Sequence, residues 1–334
     1  MYHPTYEVPL SPAHPFPMSK YPLLKARLLA EGIIAAGDLM EPGPIDMQSL
    51  ELVHTREYLH KLATSTLSDA EIRRLGLPWS DALWQRSLLA ASGTLLAART
   101  ALREGLAANL AGGTHHAFAD HGEGFCVLND VAIAMTLLRA EGVIQRGAVI
   151  DLDVHQGNGT AALFEHVDEV FTFSMHGERN YPTAKMRSNL DVPLRDGVGD
   201  AEYLEQLAGN LPVVLERAAA QIAFYLAGVD VVAGDRYGRL ALSESGLSQR
   251  DRFVIERVRR RGIPLVIVLA GGYAATRQRT AELHAHVFRE AADFAGRDRA
   301  APAASSTGGR CLVADTRAAV EVGQQPQRAD QQKL

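Results

Sequence analysis

The sequence predicts an α/β protein built on a parallel sheet with helices on both faces. Three observations lead there. From residue 107 onward, short apolar runs alternate with longer segments of helical periodicity, the pattern of β-α-β units. The run over 148–154 sets Ala148, Ile150, Leu152 and Val154 in a continuous apolar stretch, as a strand buried on both faces would. Successive runs then open into polar, glycine-bearing loops, at the carboxyl ends where open α/β sheets keep their sites.

Taken in order, residues 1–18 are rich in Pro and His and predict irregular, extended chain. A helical pattern over 19–31 stops at Gly32, and another covers 48–63. Ser68 and Glu71 have the spacing of a capping box opening a short helix. The long pattern over 80–104 ends at Gly105, the residue type favoured just past a helix. Strands are then predicted over 107–111, 148–154, 170–175, 229–233 and 265–270. Helices between and after them are predicted over 129–141, 161–166, 200–226, 248–261 and 276–294. No fixed-period repeat and no internal boundary appears, so 1–295 reads as one domain. From 296 to 334 large apolar residues become scarce, which predicts a disordered tail.

Composition narrows the classes of function. A net charge of −5 and a pI near 6.2 argue against a nucleic-acid-binding surface. Two cysteines, Cys126 and Cys311, imply no disulfide framework and fit a reducing compartment. The first residues lack a basic start followed by an apolar core, so no signal peptide is expected. The longest apolar stretch, 264–270, falls far short of the ~20 residues needed to span a bilayer. The chain reads as soluble and cytoplasmic.

The chemistry concentrates at the strand ends. Asp151, Asp153 and His155 recur every second residue, so on a strand all three project from one face. Two buried carboxylates side by side are costly, and a divalent cation removes the cost by making them ligands. Residues 112–116 read Gly-Gly-Thr-His-His, and 124–130 read Gly-Phe-Cys-Val-Leu-Asn-Asp. Neutral imidazoles such as His115 and His116 beside a metal suit proton transfer. Later come Ala-Gly-Asp-Arg-Tyr over 233–237 and Ala-Gly-Gly-Tyr over 270–273. Asp235 follows the strand predicted over 229–233 and is expected to reach the site. Asp230 competes for that role, but at the start of the same strand it reads as structural.

These pieces, in this order, resemble the zinc-dependent histone deacetylase family over about residues 1–295, and Gln156 with Asn158 is most similar to its class IV branch and bacterial relatives. The resemblance implies an arginase/deacetylase fold, a three-layer α/β/α domain with a mainly parallel sheet of about eight strands. It makes Asp153, His155 and Asp235 the metal ligands, for Zn2+ or, given two carboxylates and one imidazole, Fe2+. It makes His115 and His116 the active-site pair, with Asp151 behind His115, Asn158 behind His116, and the Tyr273 hydroxyl donating to the oxyanion. Gly124, Phe125 and Tyr181 correspond to tunnel-lining positions, with Cys126 at the inner end. Backbone carbonyls of Asp151, Asp153, His155 and Met175, with Ser174, correspond to a structural K+ site, and Phe164 marks a fainter second one. Three departures stand out. Asn158 replaces a class I aspartate, Tyr237 stands where Leu is expected, and Ala270 leaves the Tyr273 loop one glycine poorer.

The activity implied is hydrolysis of an N-acyl amide on a lysine side chain of a protein. Metal and Tyr273 stabilise the oxyanion, and His116 acts as general base. A narrow aromatic channel also suits an acetylated polyamine or another acylated small amine, and the class IV likeness admits long acyl chains. An arginase-type ureohydrolase shares the fold but needs a two-metal site with more carboxylates. A catalytically silent acyl-lysine-binding module would not need every ligand, both histidines and the tyrosine.

Overall fold

The structure, a computed structural model, describes residues 1–300. Its amino-terminal part is helical: α1 (Lys20–Ala30), α2 (Met47–Glu51), α3 (Arg56–Ala63), α4 (Asp69–Leu75) and α5 (Asp81–Glu104). Local chemistry sets the ends. Ser68 and Glu71 close the reciprocal capping box, and Ser80 caps α5 by accepting the Leu83 N–H. The helix expected over 48–63 is instead split, because Thr55 caps a new start at α3. Beyond α5 the order is β1 (Leu106–Ala108), α6 (Asp130–Ala140), β2 (Gly147–Asp151), α7 (Asn158–Phe164), β3 (Val170–Gly177), β4 (Leu190–Leu194), α8 (Asp200–Ala218), β5 (Ala223–Leu226), α9 (Glu244–Arg259), β6 (Leu265–Val268) and α10 (Arg277–Ala300).

The described strands form one six-stranded sheet in the order β1-β6-β5-β2-β3-β4, with every neighbouring pair parallel. Six strands replace the expectation of about eight. The strand that sequence reading missed, β4, is an edge strand containing Pro193, and proline weakens the strand signal where no outer neighbour needs its N–H.

Successive strand residues enter two separate apolar clusters, which is the three-layer arrangement seen in packing terms. Val149, Phe224, Leu226, Val266 and Val268 pack with α5 and α6 side chains such as Ala97 and Val131. Ala148, Ile150, Tyr225, Leu265 and Ile267 pack on the other face with Leu211 of α8, Val254 of α9 and Phe288 of α10. Both sets are buried, so the strands read as continuous apolar runs and their period of two is silent in the sequence.

Two boundaries fall differently from expectation, and both matter for the site. β2 ends at Asp151, so Asp153 and His155 lie in the turn beyond it rather than on one strand face. No strand forms over 229–233; the strand here is β5, which ends at Leu226 inside the segment expected to be helical. The preceding helix stops at Ala218, with Ala219 left-handed. Asp230 therefore follows the strand's carboxyl end instead of starting it. From β2 the chain moves to β3 on one side, and from β5 to β6 on the other. The crevice between the ends of β2 and β5 is thus a topological switch point.

Helix α10 runs through Ala300, past the expected end at 294, so 296–300 belong to it rather than to the predicted tail. The rest of that tail, with Cys311, lies outside the described residues. Among the described residues no helix is long and apolar enough to cross a membrane.

Candidate metal centre and tunnel

Three strand ends meet at a buried cluster of donors. Asp153 and His155 come from the turn after β2, and Asp230 from the loop after β5. One ligand atom from each lies within 4.8 Å of the others, and all three residues are buried. His155 Nδ1 lies 2.9 Å from Asp153 Oδ1 and 3.2 Å from Asp230 Oδ2. Gly271 N–H, from the loop after β6, donates to Asp153 Oδ2 (2.6 Å), and Val154 N–H donates to Asp230 Oδ1 (2.9 Å). A side chain at 271 would collide with both carboxylates, its Cβ coming 2.0 Å from Asp230 Oδ2, so glycine is required there by close approach.

The chemistry of this donor set fits a divalent cation. Asp230 Oδ2 is fully buried and completes no hydrogen bond, facing only His155 Nδ1 at 3.2 Å across the cluster. Burial and the Asp153 charge push the Asp230 carboxyl up to about 7. Burial opposes the charge on His155, yet Asp153 and Asp230 beside it lift its imidazolium to about 10. The cluster thus retains protons in proportion to its excess negative charge, and a cation replaces them. Two carboxylates and an imidazole suit Zn2+ and Fe2+ alike.

Asp235, expected as the third ligand, lies outside this group of mutually close donor atoms, which includes Asp230. Asp235 Oδ1 accepts the N–H groups of Tyr237 (2.9 Å) and Gly238 (3.0 Å), and its Oδ2 accepts the Tyr273 N–H (2.7 Å). It clamps the loop after β5 to the loop that carries Tyr273.

The two adjacent histidines stand beside the cluster, their rings 4.1 Å apart, and each has its own support. His115 Nδ1 bonds Asp151 Oδ2 (2.7 Å), and His116 Nδ1 bonds Asn158 Oδ1 (2.6 Å). Burial works against both cations. At His115 the charges of Asp151 and Asp153 overcome it and raise the imidazolium to about 9. At His116 burial is reinforced by His115 and His155, and the group falls well below the ordinary histidine range. One ring is built to carry a proton and the other to lack one.

A cavity of about 270 Å³ opens from this site to the surface. Gly124, Phe125 and Tyr181 line it as expected, together with Tyr273, and so do Arg74 and Tyr237, which sequence reading did not place there. Gly124 has φ +55°, and a Cβ there would stand 2.6 Å from His116 Cδ2, so the wall touches the histidine ring directly. Tyr237 packs edge-on against Tyr273 with ring centroids 4.9 Å apart, which accounts for an aromatic at that position. Burial and the carboxylates of Asp230 and Asp153 raise the Tyr273 phenol well above its usual range, so it stays a donor. Ala270 takes a positive φ of 56°, the conformation a glycine would adopt more cheaply, and its carbonyl accepts from the buried Lys20 ammonium (2.8 Å). Beneath the tunnel, Cys126 lines a second cavity of only about 30 Å³ together with Phe16, Tyr21 and Arg86.

On the far side of Asp151, the register pairs it with Ser174, and Met175 follows on β3. Ser174 Oγ bonds His176 Nδ1 (2.9 Å), and all of these residues are buried. Phe164 is buried at the end of α7. Asp230, read from the sequence as structural, lies with Asp153 and His155 among the donors, and Glu123, not singled out there, accepts from Asn158 Nδ2 (2.6 Å). Its only signal was an acid beside the Gly124-Phe125-Cys126 motif.

Residues 14–290 match the family model of the histone deacetylase domain. An uncharacterized protein of Picosynechococcus is 45% identical over 293 residues, covering 88% of this chain and 98% of its own length. Histone deacetylase 2 of Arabidopsis thaliana is 31% identical, covering 78% and 70%. A histone deacetylase-like amidohydrolase of Pseudomonas aeruginosa is 30% identical, covering 75% and 70%. The crystal structure of the HDA15 HD domain superposes with a TM-score of 0.70 at 23% identity over 86% of each chain, a likeness of fold. With the match spanning nearly the whole described chain, the protein belongs to the histone deacetylase family and has its arginase/deacetylase fold.

Proposed function

We propose that the protein is a metal-dependent amidohydrolase that removes short acyl groups from lysine side chains of proteins. The observation that carries this reading is the buried Asp153, His155 and Asp230 group, with an orphaned carboxylate oxygen, at the floor of an aromatic tunnel. When bound there, a divalent ion, Zn2+ or Fe2+, supplies Lewis-acid polarisation and water activation. A K+ ion at the carbonyls of Asp151, Asp153, His155 and Met175 with Ser174 would brace the turn after β2.

The chain's own residues do the rest. Asn158 accepts from His116 Nδ1, so Nε2 carries the lone pair that takes the proton of the attacking water. As the water oxygen adds to the amide carbon, the Tyr273 hydroxyl donates to the oxygen where negative charge develops. His115, charged and backed by Asp151, gives its proton to the amide nitrogen as the carbon–nitrogen bond breaks. Phe125 and Tyr181 hold the alkyl arm and exclude water.

Two features support the substrate class. A cavity of about 30 Å³ has room for a few atoms at most, since one water-sized probe occupies ~10–15 Å³. That favours acetyl over a long fatty chain. Arg74 at the mouth opposes a polyamine, whose further ammonium groups would emerge against its guanidinium. The test is hydrolysis of acetyl-, butyryl- and myristoyl-lysine peptides and acetylspermidine by the metal-loaded protein, with metal counted per chain. Turnover falling from acetyl to myristoyl at one metal per chain is expected. Preference for acetylspermidine or myristoyl-lysine, or two metals per chain, overturns the reading.

A further inference from the structure

Reading His116 as the base raises a question of polarity that its immediate partner does not answer. An asparagine amide is amphoteric. With its carbonyl toward the ring, His116 carries Nδ1–H and a bare Nε2. With its amino group toward the ring, the proton sits on Nε2 and the ring cannot accept another there. A carboxylate in the place of Asn158 would decide the matter by itself, because it only accepts.

We infer that Glu123 is a positioning residue that decides it instead, turning the Asn158 carbonyl toward His116 and so fixing the base as its Nδ1–H tautomer. Glu123 Oε1 lies 2.6 Å from Asn158 Nδ2, and Asn158 Oδ1 lies 2.6 Å from His116 Nδ1, an unbroken line from an acceptor-only group to the ring. Asn158 is buried and opens α7, so its backbone holds still while the amide polarity is chosen. Glu123 stays ionised. Burial opposes its charge, but the nearby His121 (3.7 Å), the Asn158 amide and Tyr181 hold the carboxyl below its ordinary range.

The same short turn links this relay to the tunnel wall. Cys126 N–H donates to Glu123 O (2.9 Å), closing a turn in which Gly124 and Phe125 both have positive φ (55° and 67°). Through Glu123 the turn reaches the support of the base, and through Phe125 it forms the channel. Tyr181, an electrostatic neighbour of Glu123, packs its ring 5.0 Å from His116. The negative charge is thereby kept one residue away from the ring, which leaves His116 neutral but correctly oriented.

This inference rests on the proposed amidohydrolase activity for its kinetic test and on the protein alone for its spectroscopic one. Glu123→Gln keeps the shape but makes both links amphoteric. Expected is a fall in kcat of ~10-fold or more, the scale of one charge-assisted hydrogen bond, with KM for an acetyl-lysine peptide little changed. The ring 15N shifts of His116 should gain the Nε2–H form. Glu123→Gln combined with Asn158→Asp restores an acceptor-only group next to the ring, now paired with an amide donor, and should return kcat at least halfway on a logarithmic scale. Wild-type kcat and an unchanged tautomer in Glu123→Gln overturn the inference, as does a double variant no faster than the single one. If the wild type hydrolyses no acyl-lysine, the functional reading fails. The 15N spectrum then judges Glu123 separately, Nε2–H in the wild type being the refuting result.

Discussion

Replacing Asp230 and Asp235 in turn by asparagine tests which carboxylates hold the metal beside Asp153 and His155. Two unit charges ~4 Å apart interact by about 4 kcal/mol at an effective dielectric of 20, and a divalent ion doubles this. The amide oxygen of Asp230→Asn can still bind and returns part of it. A net loss of about 4 kcal/mol corresponds to ~10³-fold weaker metal affinity. Asp235→Asn acts elsewhere. Its Oδ1 can keep the Tyr237 and Gly238 bonds, but its new amino group then faces the Tyr273 N–H, donor against donor. The cost of about 1–3 kcal/mol falls on the loop that holds Tyr273, and metal affinity should change by less than ~10-fold. Competition of each variant with a zinc-chelating indicator measures both affinities. Wild-type affinity in Asp230→Asn, or equal losses in the two variants, refutes the assignment of Asp230.

Tyr273→Phe should keep its metal and lose ~10²–10³ in kcat, the usual consequence of removing one oxyanion donor; turnover at the wild-type rate by metal-replete variant takes Tyr273 out of the mechanism. His54 gives a pH prediction unconnected with the metal. Its Nδ1 donates to Phe118 O (2.9 Å) and its Nε2 accepts the Asn129 N–H (3.0 Å), and burial lowers its pKa to about 4. The folded pKa lies below the unfolded value of ~6.5, so the unfolded chain takes up the proton first, and stability present above ~6.5 is lost as pH falls toward 4. The loss over that window is roughly 3 kcal/mol, and His54→Gln, which can donate and accept without titrating, should flatten the urea midpoint between pH 7 and 4. Identical pH slopes for the two proteins would count against the neutral buried histidine.

Much of this site was legible before the fold was known, because its chemistry is local in sequence. Asp153 and His155 lie two residues apart and His115 and His116 are adjacent, so their pairing survives any error in strand boundaries. Glycines 112, 113, 271 and 272 sit where a Cβ would meet close neighbours. The third carboxylate beside them was not legible in the same way. Asp230 follows Val229 and Asp235 follows Gly234, and the end of β5 at Leu226 is what brings Asp230 to the turn after β2. Local composition cannot fix that end, since buried strand and buried loop share the same apolar residues.

By itself, then, the sequence determined the layered α/β class through periodicity, and it set His115 beside His116 and Asp153 two residues from His155 whatever the fold. Tertiary structure alone decided that six strands suffice, that Asp230 lies beside Asp153 and His155, and that Glu123 stands behind Asn158. The physical reason is common to all three. Register between strands and the convergence of loops 35 to 77 residues apart are set by packing of the whole sheet, and no short window of sequence carries that information.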